Sequence, residues 1–215
     1  MESIDKKQAL AVAIPRGGFV SQWADIRTEL IRKSIHFLIA LAPSLAYVNR
    51  GLTVAALALG TIVYTYAESA RYAGVRIPLI SAVTAIAARD RDRGRFVLGP
   101  VTLGLGAMLA LLLYPDPAAT IAIYALAFGD GLASLVGKLV GRIRPAFLRG
   151  KSLEGSAACF SAVFLVAYRI SADFRTAFFA AFVATFVEAL PLEDYDNIAL
   201  PLAVGFAVEV AGALS

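Results

Sequence analysis

Charge is scarce in this chain: only 17% of its 215 residues are Asp, Glu, Lys or Arg, where a soluble domain carries about 25%. There is one cysteine (Cys159), one tryptophan (Trp23) and one histidine (His36). A single cysteine excludes an intrachain disulfide scaffold, and its place in an apolar run makes it silent about compartment. The shortage of charge excludes disorder and an ordinary cytosolic enzyme. What fills the chain is hydrophobic: 59% of residues, arranged in runs that leave no room for a separate soluble domain.

Apolar runs fall at 34–48, 51–67, 97–114, 118–137, 155–168, 176–190 and 198–214. A spanning helix needs about 20 mostly apolar residues, and flanking groups can make up small deficits. The expected architecture is an all-α, polytopic membrane helix bundle of about seven transmembrane helices. Asn49-Arg50-Gly51 reads as a tight turn between the first two, and Pro115-Asp116-Pro117 separates the third from the fourth. An eighth stretch, Ile77–Ala88, is too short to span: its 12 residues make about 18 Å of helix.

Basic residues orient the bundle. With 77–88 left out as a span, one side holds 17 Lys/Arg and the other only Arg50, Arg169 and Arg175. Counting 77–88 as a span reduces the split to 10 and 10. The positive-inside rule therefore places the N-terminus in the cytoplasm and the C-terminus outside, in the plasma membrane if the source is prokaryotic.

Residues 1–33 are expected to form a cytoplasmic segment, and 34–215 a single transmembrane catalytic domain. The early apolar stretch Ala9–Ile14 runs into Pro15-Arg16-Gly17-Gly18, unlike a cleavable signal. Phe19, Trp23, Ile26 and Leu30 then share one helical face, with Asp25, Arg27 and Glu29 off it. That pattern predicts an amphipathic helix, lying on the inner leaflet or packed on the protein's own loops.

The costly polar residues gather on the predicted cytoplasmic side: Arg32, Lys33 and His36; Glu68 and Arg71; Asp130 with Lys138 and Arg142; Lys151 and Glu154; Glu188; Asp194, Asp196 and Asn197. Charges at membrane depth usually mark a working interior. Acids and bases together suit a metal ion with a polyphosphate. Asp130, Ser134, Lys138 and Gly141 share one helix face, and Gly150-Lys151-Ser152-Leu153-Glu154-Gly155-Ser156 opens a helix whose amides and lysine suit phosphate oxygens. It is not a P-loop. Pro145 stands where that motif requires glycine, and no strand precedes it.

Taken in order, Arg32-Lys33-x-x-His36, Glu68-x-x-Arg71, Gly129-Asp130-Gly131 through Gly137-Lys138-x-x-Gly141-Arg142, Lys151-Ser152-x-Glu154-Gly155-Ser156, and Glu188 followed by Asp196-Asn197 resemble the polyprenol kinase family. That family comprises dolichol, phytol and farnesol kinases and CTP-dependent diacylglycerol kinases. The resemblance runs from about Arg32 to Pro201. It implies transfer of the γ-phosphate of a nucleotide, usually CTP, to a lipid alcohol, with Mg2+ or another divalent cation. The charged run Arg89-Asp90-Arg91-Asp92-Arg93 departs from the family pattern and is given no role.

The roles this implies are as follows. Asp130 is the metal ligand or the base that takes the alcohol proton, and Glu188 and Asp196 are further metal ligands. Lys151 binds phosphate and serves catalysis, with Ser152, Lys138, Arg142, Arg32, Lys33 and Asn197 around the nucleotide. His36 relays a proton or bonds a neighbouring carboxylate. Glu68, Arg71 and Glu154 support the site, or form a structural pair and a helix cap. The acceptor comes from the bilayer and the nucleotide from the cytoplasm. The competing enzyme reading is a phosphatidate cytidylyltransferase; the non-enzyme reading is a small cation- or proton-coupled transporter. Nucleic-acid binding is not indicated, since the basic residues hug membrane edges among acids. Oligomeric state, acceptor length and the role of Glu209 are not legible.

Overall fold

The computed structural model describes residues 19–75, 77, 84, 92 and 94–213. Most of the short stretch Ile77–Ala88 and most of the charged run before the third apolar segment lie outside the described residues. So do the side chains of Phe19 and Trp23 on the proposed amphipathic stripe.

Among the described residues there are helices and turns and no strand. Helix α1 is Phe19–Leu38, followed by a 3-10 turn at Ile39–Leu41; α2 is Ala42–Tyr72 and α3 is Gly99–Leu113. Helix α4 (Ala118–Tyr124) passes through a π-helical segment, Ala125–Asp130, into α5 (Gly131–Leu139). After a 3-10 turn at Ala146–Leu148 come α6 (Leu153–Ser171), α7 (Phe174–Ala189), a 3-10 turn at Glu193–Tyr195, and α8 (Asp196–Ala213).

The turn predicted at Asn49 is present as a break inside α2. Asn49 leaves helical geometry (φ −156°, ψ 102°), and its Oδ1 accepts the Leu52 amide at 2.9 Å, as an N-cap does. The arm after the break runs antiparallel to α3. Arg50 donates to the Leu111 carbonyl at 2.8 Å at one end, and Tyr64 donates to the Val97 carbonyl at 3.2 Å toward the other.

Four segments are long and apolar enough to cross a membrane: Ile26–Tyr72, Ala118–Leu139, Leu153–Ser171 and Glu193–Ala213. Two expected spans, 34–48 and 51–67, lie inside the first of these, whose 47 residues are interrupted at Asn49. Helix α3 has 15 residues, or about 22 Å of rise against a core of about 30 Å. The described helices thus form an all-α fold with four candidate membrane spans, and the number seven is not fixed by them.

The core is built from small residues. Ala118, Ala125, Ala133, Ala167, Ala177, Ala180, Ala181 and Ala184 pack with Val163, Leu200 and Val204, joining α4 through α8. A second cluster sets Ala42 of α2 against Ala107, Ala110 and Leu111 of α3 and Ala119, Ala122 and Ile123 of α4. In a lipid solvent, helices associate through close packing rather than through hydrophobic burial, so small side chains at contacts are expected. Gly106 shows how close the approach is: a Cβ there would lie 2.0 Å from the Asn197 carbonyl oxygen of α8.

Helix α1 carries residues on both sides of the expected boundary. It runs unbroken through residue 33, where the cytoplasmic segment was expected to end. The face that carries Glu29 and Lys33 is buried, each being 1% exposed, while Arg27 and Leu30 are exposed.

Candidate active site

Asp130 ends the π-helical segment and is buried. A buried carboxylate needs compensating partners, and α1 supplies them. Lys33 Nζ donates to Asp130 Oδ2, and His36 Nδ1 lies 3.1 Å from the same oxygen. Lys33 and His36 are spaced i, i+3, which puts them on one helix face. Among the described residues no group bonds Asp130 Oδ1. Positions where an extra residue widens the helical turn recur at functional sites.

One turn further along the same charged face, Glu29 accepts from Lys138 of α5 at 2.6 Å through Oε2 and from Arg32 through Oε1. The pair Glu29–Lys138 ties α1 to α5.

Lys151 precedes α6, whose N-cap is Ser152: its Oγ accepts the Gly155 amide at 3.1 Å. Lys151 Nζ donates to the backbone carbonyl of Glu188, near the C-terminal end of α7, and lies 3.1 Å from Glu188 Oε1. Cations are favoured where helix carbonyls are left unpaired. Glu188 Oε2 is buried and has no partner among the described residues. The loop between α5 and α6 is braced by Arg144, which donates to the Gly137 carbonyl at 2.6 Å and to the Gly150 carbonyl. Close contact of α5 with α6 requires Gly155, where a Cβ would lie 2.7 Å from the Ala133 carbonyl oxygen.

These groups converge on one cavity of about 630 Å3. Of the residues singled out in the sequence, it is lined by Arg32, Asp130, Lys138, Lys151, Ser152, Glu188 and Asp196. Lys33 and His36 stand behind Asp130 as its partners. The remaining five lie elsewhere. The Arg142 side chain is exposed, and Glu154 accepts the Arg142 and Ile143 amides at 2.9 and 3.1 Å, so this pair fastens the loop to the start of α6. Burial of Asn197 is between α8 and α3, where its Nδ2 donates to Thr102 Oγ1 at 2.9 Å and to the Gly99 carbonyl at 3.3 Å. Glu68 takes two hydrogen bonds of 2.6 Å from Arg71 and one of 2.8 Å from the Val97 amide, an ion pair that anchors the end of α2 to the segment before α3.

The cavity also contains charged residues that the sequence reading left out: Glu29, Arg144, Arg149 and Glu193. Glu29 had a signal in the sequence, since 29, 33 and 36 fall within about 60° of one helical face. The two arginines and Glu193 sit in irregular segments, where no periodicity marks them.

Three of the cavity's five carboxylates, Asp130, Glu188 and Asp196, are those the sequence reading assigned to a metal. Among the described residues no group of three or more His, Cys, Asp or Glu side chains is close enough to hold a metal ion alone. That donor set fits Mg2+, which uses one or two carboxylates and completes its shell with phosphate oxygens and water. It does not fit a closed structural zinc site.

Comparison with known proteins identifies relatives. The chain is 30% identical over 143 residues to a protein of Glycine max described as probable phytol kinase 1, chloroplastic, covering 58% of this chain and 46% of that one. A probable phytol kinase, chloroplastic, of Triticum aestivum is 28% identical over 143 residues with the same coverage. The chain thus spans about half the length of the curated relatives it matches. No family model matches it, and no solved structure matches it significantly. Over those 143 residues the chain is similar to these two plant proteins described as probable phytol kinases.

Proposed function

We propose that this protein is a membrane-embedded kinase that transfers the γ-phosphate of a nucleotide, CTP by family resemblance, to an isoprenoid alcohol of the polyprenol, dolichol, phytol, farnesol or geranylgeraniol type. The observation that carries the reading is a single cavity in which Asp130, held on one oxygen by Lys33 and facing His36, shares the space with Lys151, Arg32, Lys138, Arg144 and Arg149. Phosphoryl transfer asks a protein chiefly for positioning and for neutralisation of phosphate charge, and those cations supply both.

In this account Lys151 exchanges its contacts with Glu188 for phosphate oxygens. The Gly150-Lys151-Ser152 turn and the start of α6 add a favourable dipole. Lys33 and His36 fix Asp130 so that Oδ1 is presented to the reacting groups, with Asp196 and Glu188 as the other carboxylates available to a divalent cation. That cation would offset negative charge on the transferring phosphoryl group. The alcohol keeps its hydrocarbon tail in the bilayer and brings its hydroxyl to the cavity. This explains why so little of the chain is polar. Placement of the cavity on the cytoplasmic side rests on the positive-inside distribution.

Label on the γ-phosphate of CTP tests the reaction class. Purified protein with Mg2+ and each of farnesol, geranylgeraniol, phytol, a polyprenol and diacylglycerol should place the label on an isoprenoid alcohol. With phosphatidate offered in parallel, release of label as pyrophosphate and transfer of CMP to the lipid phosphate would establish cytidylyl transfer instead. Label on diacylglycerol alone would move the acceptor class.

A further inference from the structure

Glu29 is a charged side chain that the family pattern, beginning at Arg32, does not include. Yet it is among the most deeply buried charged groups in the molecule, 1% exposed, and it borders the cavity. Both its oxygens are engaged, and by cations from different helices. Oε1 takes Arg32 of α1 and Oε2 takes Lys138 of α5 at 2.6 Å. What those cations keep free points to a ligand. Arg32 is held through Nη2, while its Nε is buried and has no partner among the described residues. Buried donors without partners are rare and call for an explanation. The Lys138 side chain remains 42% exposed with one of its three donors taken.

We infer that Glu29 is the positioning residue of an anion cradle, in which it fixes Arg32 and Lys138 so that Arg32 Nε and the remaining Lys138 donors meet phosphate oxygens of the nucleotide. The inference rests on the kinase reading for the identity of the anion. It makes α1 a wall of the site and not merely an anchor to the leaflet. Two long cations, each free to choose among several rotamers, would otherwise lose that freedom when the triphosphate arrives; a buried carboxylate fixes them beforehand. Glu29 touches no reacting atom, so its removal should weaken nucleotide binding and leave the chemical step nearly intact.

The experiment compares full-length wild type, Glu29→Gln, Glu29→Asp, Lys138→Met and the Glu29→Gln/Lys138→Met double variant. Equilibrium binding of Mg2+·CTP, nucleotide KM, kcat and the thermal unfolding midpoint are read for each. Glu29→Gln should raise Kd and KM about tenfold or more, as expected for loss of charge-assisted hydrogen bonds, with kcat within about threefold. Glu29→Asp, which keeps the charge, should recover most of the affinity. It also serves as the test if the glutamine variant does not fold. The double variant should lose less affinity than the product of the two single effects, because part of what Glu29 does is done through Lys138 and the rest through Arg32. Unchanged binding in Glu29→Gln, multiplicative effects in the double variant, or a fall in kcat at constant KM would each overturn the inference. Wild type that binds nucleotide but phosphorylates no lipid would overturn the kinase reading while leaving Glu29 judged by binding.

Discussion

Asp130 and Lys33 depend on each other. Each is buried, and each leaves the other uncompensated if removed. Breaking a buried ion pair from one side costs about 3–5 kcal/mol, whereas replacing both partners with neutral groups of similar size costs far less. Lys33→Met should therefore lower stability more than the Lys33→Met/Asp130→Asn double variant does, as measured by thermal unfolding in detergent. Equal destabilisation would mean that the two groups are not each other's main compensation. Asp130 was visible in the sequence because a carboxylate inside an apolar run has to be accounted for. Its partners were visible too, but only as cations at the edge of a span. Glu29 was hidden by the hydrophobic pattern: Ile26 and Leu30 define a stripe, and a carboxylate off that stripe reads as a solvated one. In a membrane bundle the logic reverses, and the apolar face meets lipid while the charged face turns inward. Arg142 and Glu154 were drawn toward the site by their neighbours in sequence, whereas the structure uses them for a local loop contact.

Helix ends and breaks carry most of the positioning. The break at Asn49 was legible because Asn-Arg-Gly interrupts two apolar runs, and its side chain caps the second arm. The 3-10 turn at Ile39–Leu41 and the π-helical segment at Ala125–Asp130 were not, since an apolar run carries no mark of where its hydrogen-bond pattern changes. Glycines set how closely helices approach, at Gly155 between α5 and α6 and at Gly106 between α3 and α8. At Gly106 an added methyl would meet the Asn197 backbone, which has no rotamer to yield. Gly106→Ala should force α3 away from α8 and destabilise the protein by about 1–3 kcal/mol, the usual cost of overpacking. Gly60→Ala, where nothing lies within 4 Å, should be close to neutral and serves as the control. Comparable unfolding midpoints for the two variants would contradict this packing.

Over the whole molecule, the division of labour follows from solvent. The outward surface is apolar, with Phe178, Phe182, Phe186 and Phe206 each 43–64% exposed, while ten charged residues border one cavity. Five are basic (Arg32, Lys138, Arg144, Arg149 and Lys151) and five acidic (Glu29, Asp130, Glu188, Glu193 and Asp196). A pocket so balanced is poorly suited to a bare anion and well suited to a polyphosphate accompanied by a cation. Composition made the membrane class readable. The number of spans was less so, because helices such as α3 are shorter than the hydrocarbon core and their crossing depends on neighbours.

The central claim is that this cavity binds a nucleotide through cations brought together from α1, α5 and the turn before α6. Equilibrium binding of labelled CTP to the purified protein, with and without Mg2+, tests it most directly when wild type is compared with Lys151→Ala and Asp130→Asn. The account predicts saturable, Mg2+-dependent binding that Lys151→Ala weakens about tenfold or more, and loss of Mg2+ dependence in Asp130→Asn, both with helical content unchanged. Binding that is indifferent to both substitutions would place the nucleotide elsewhere and contradict the account.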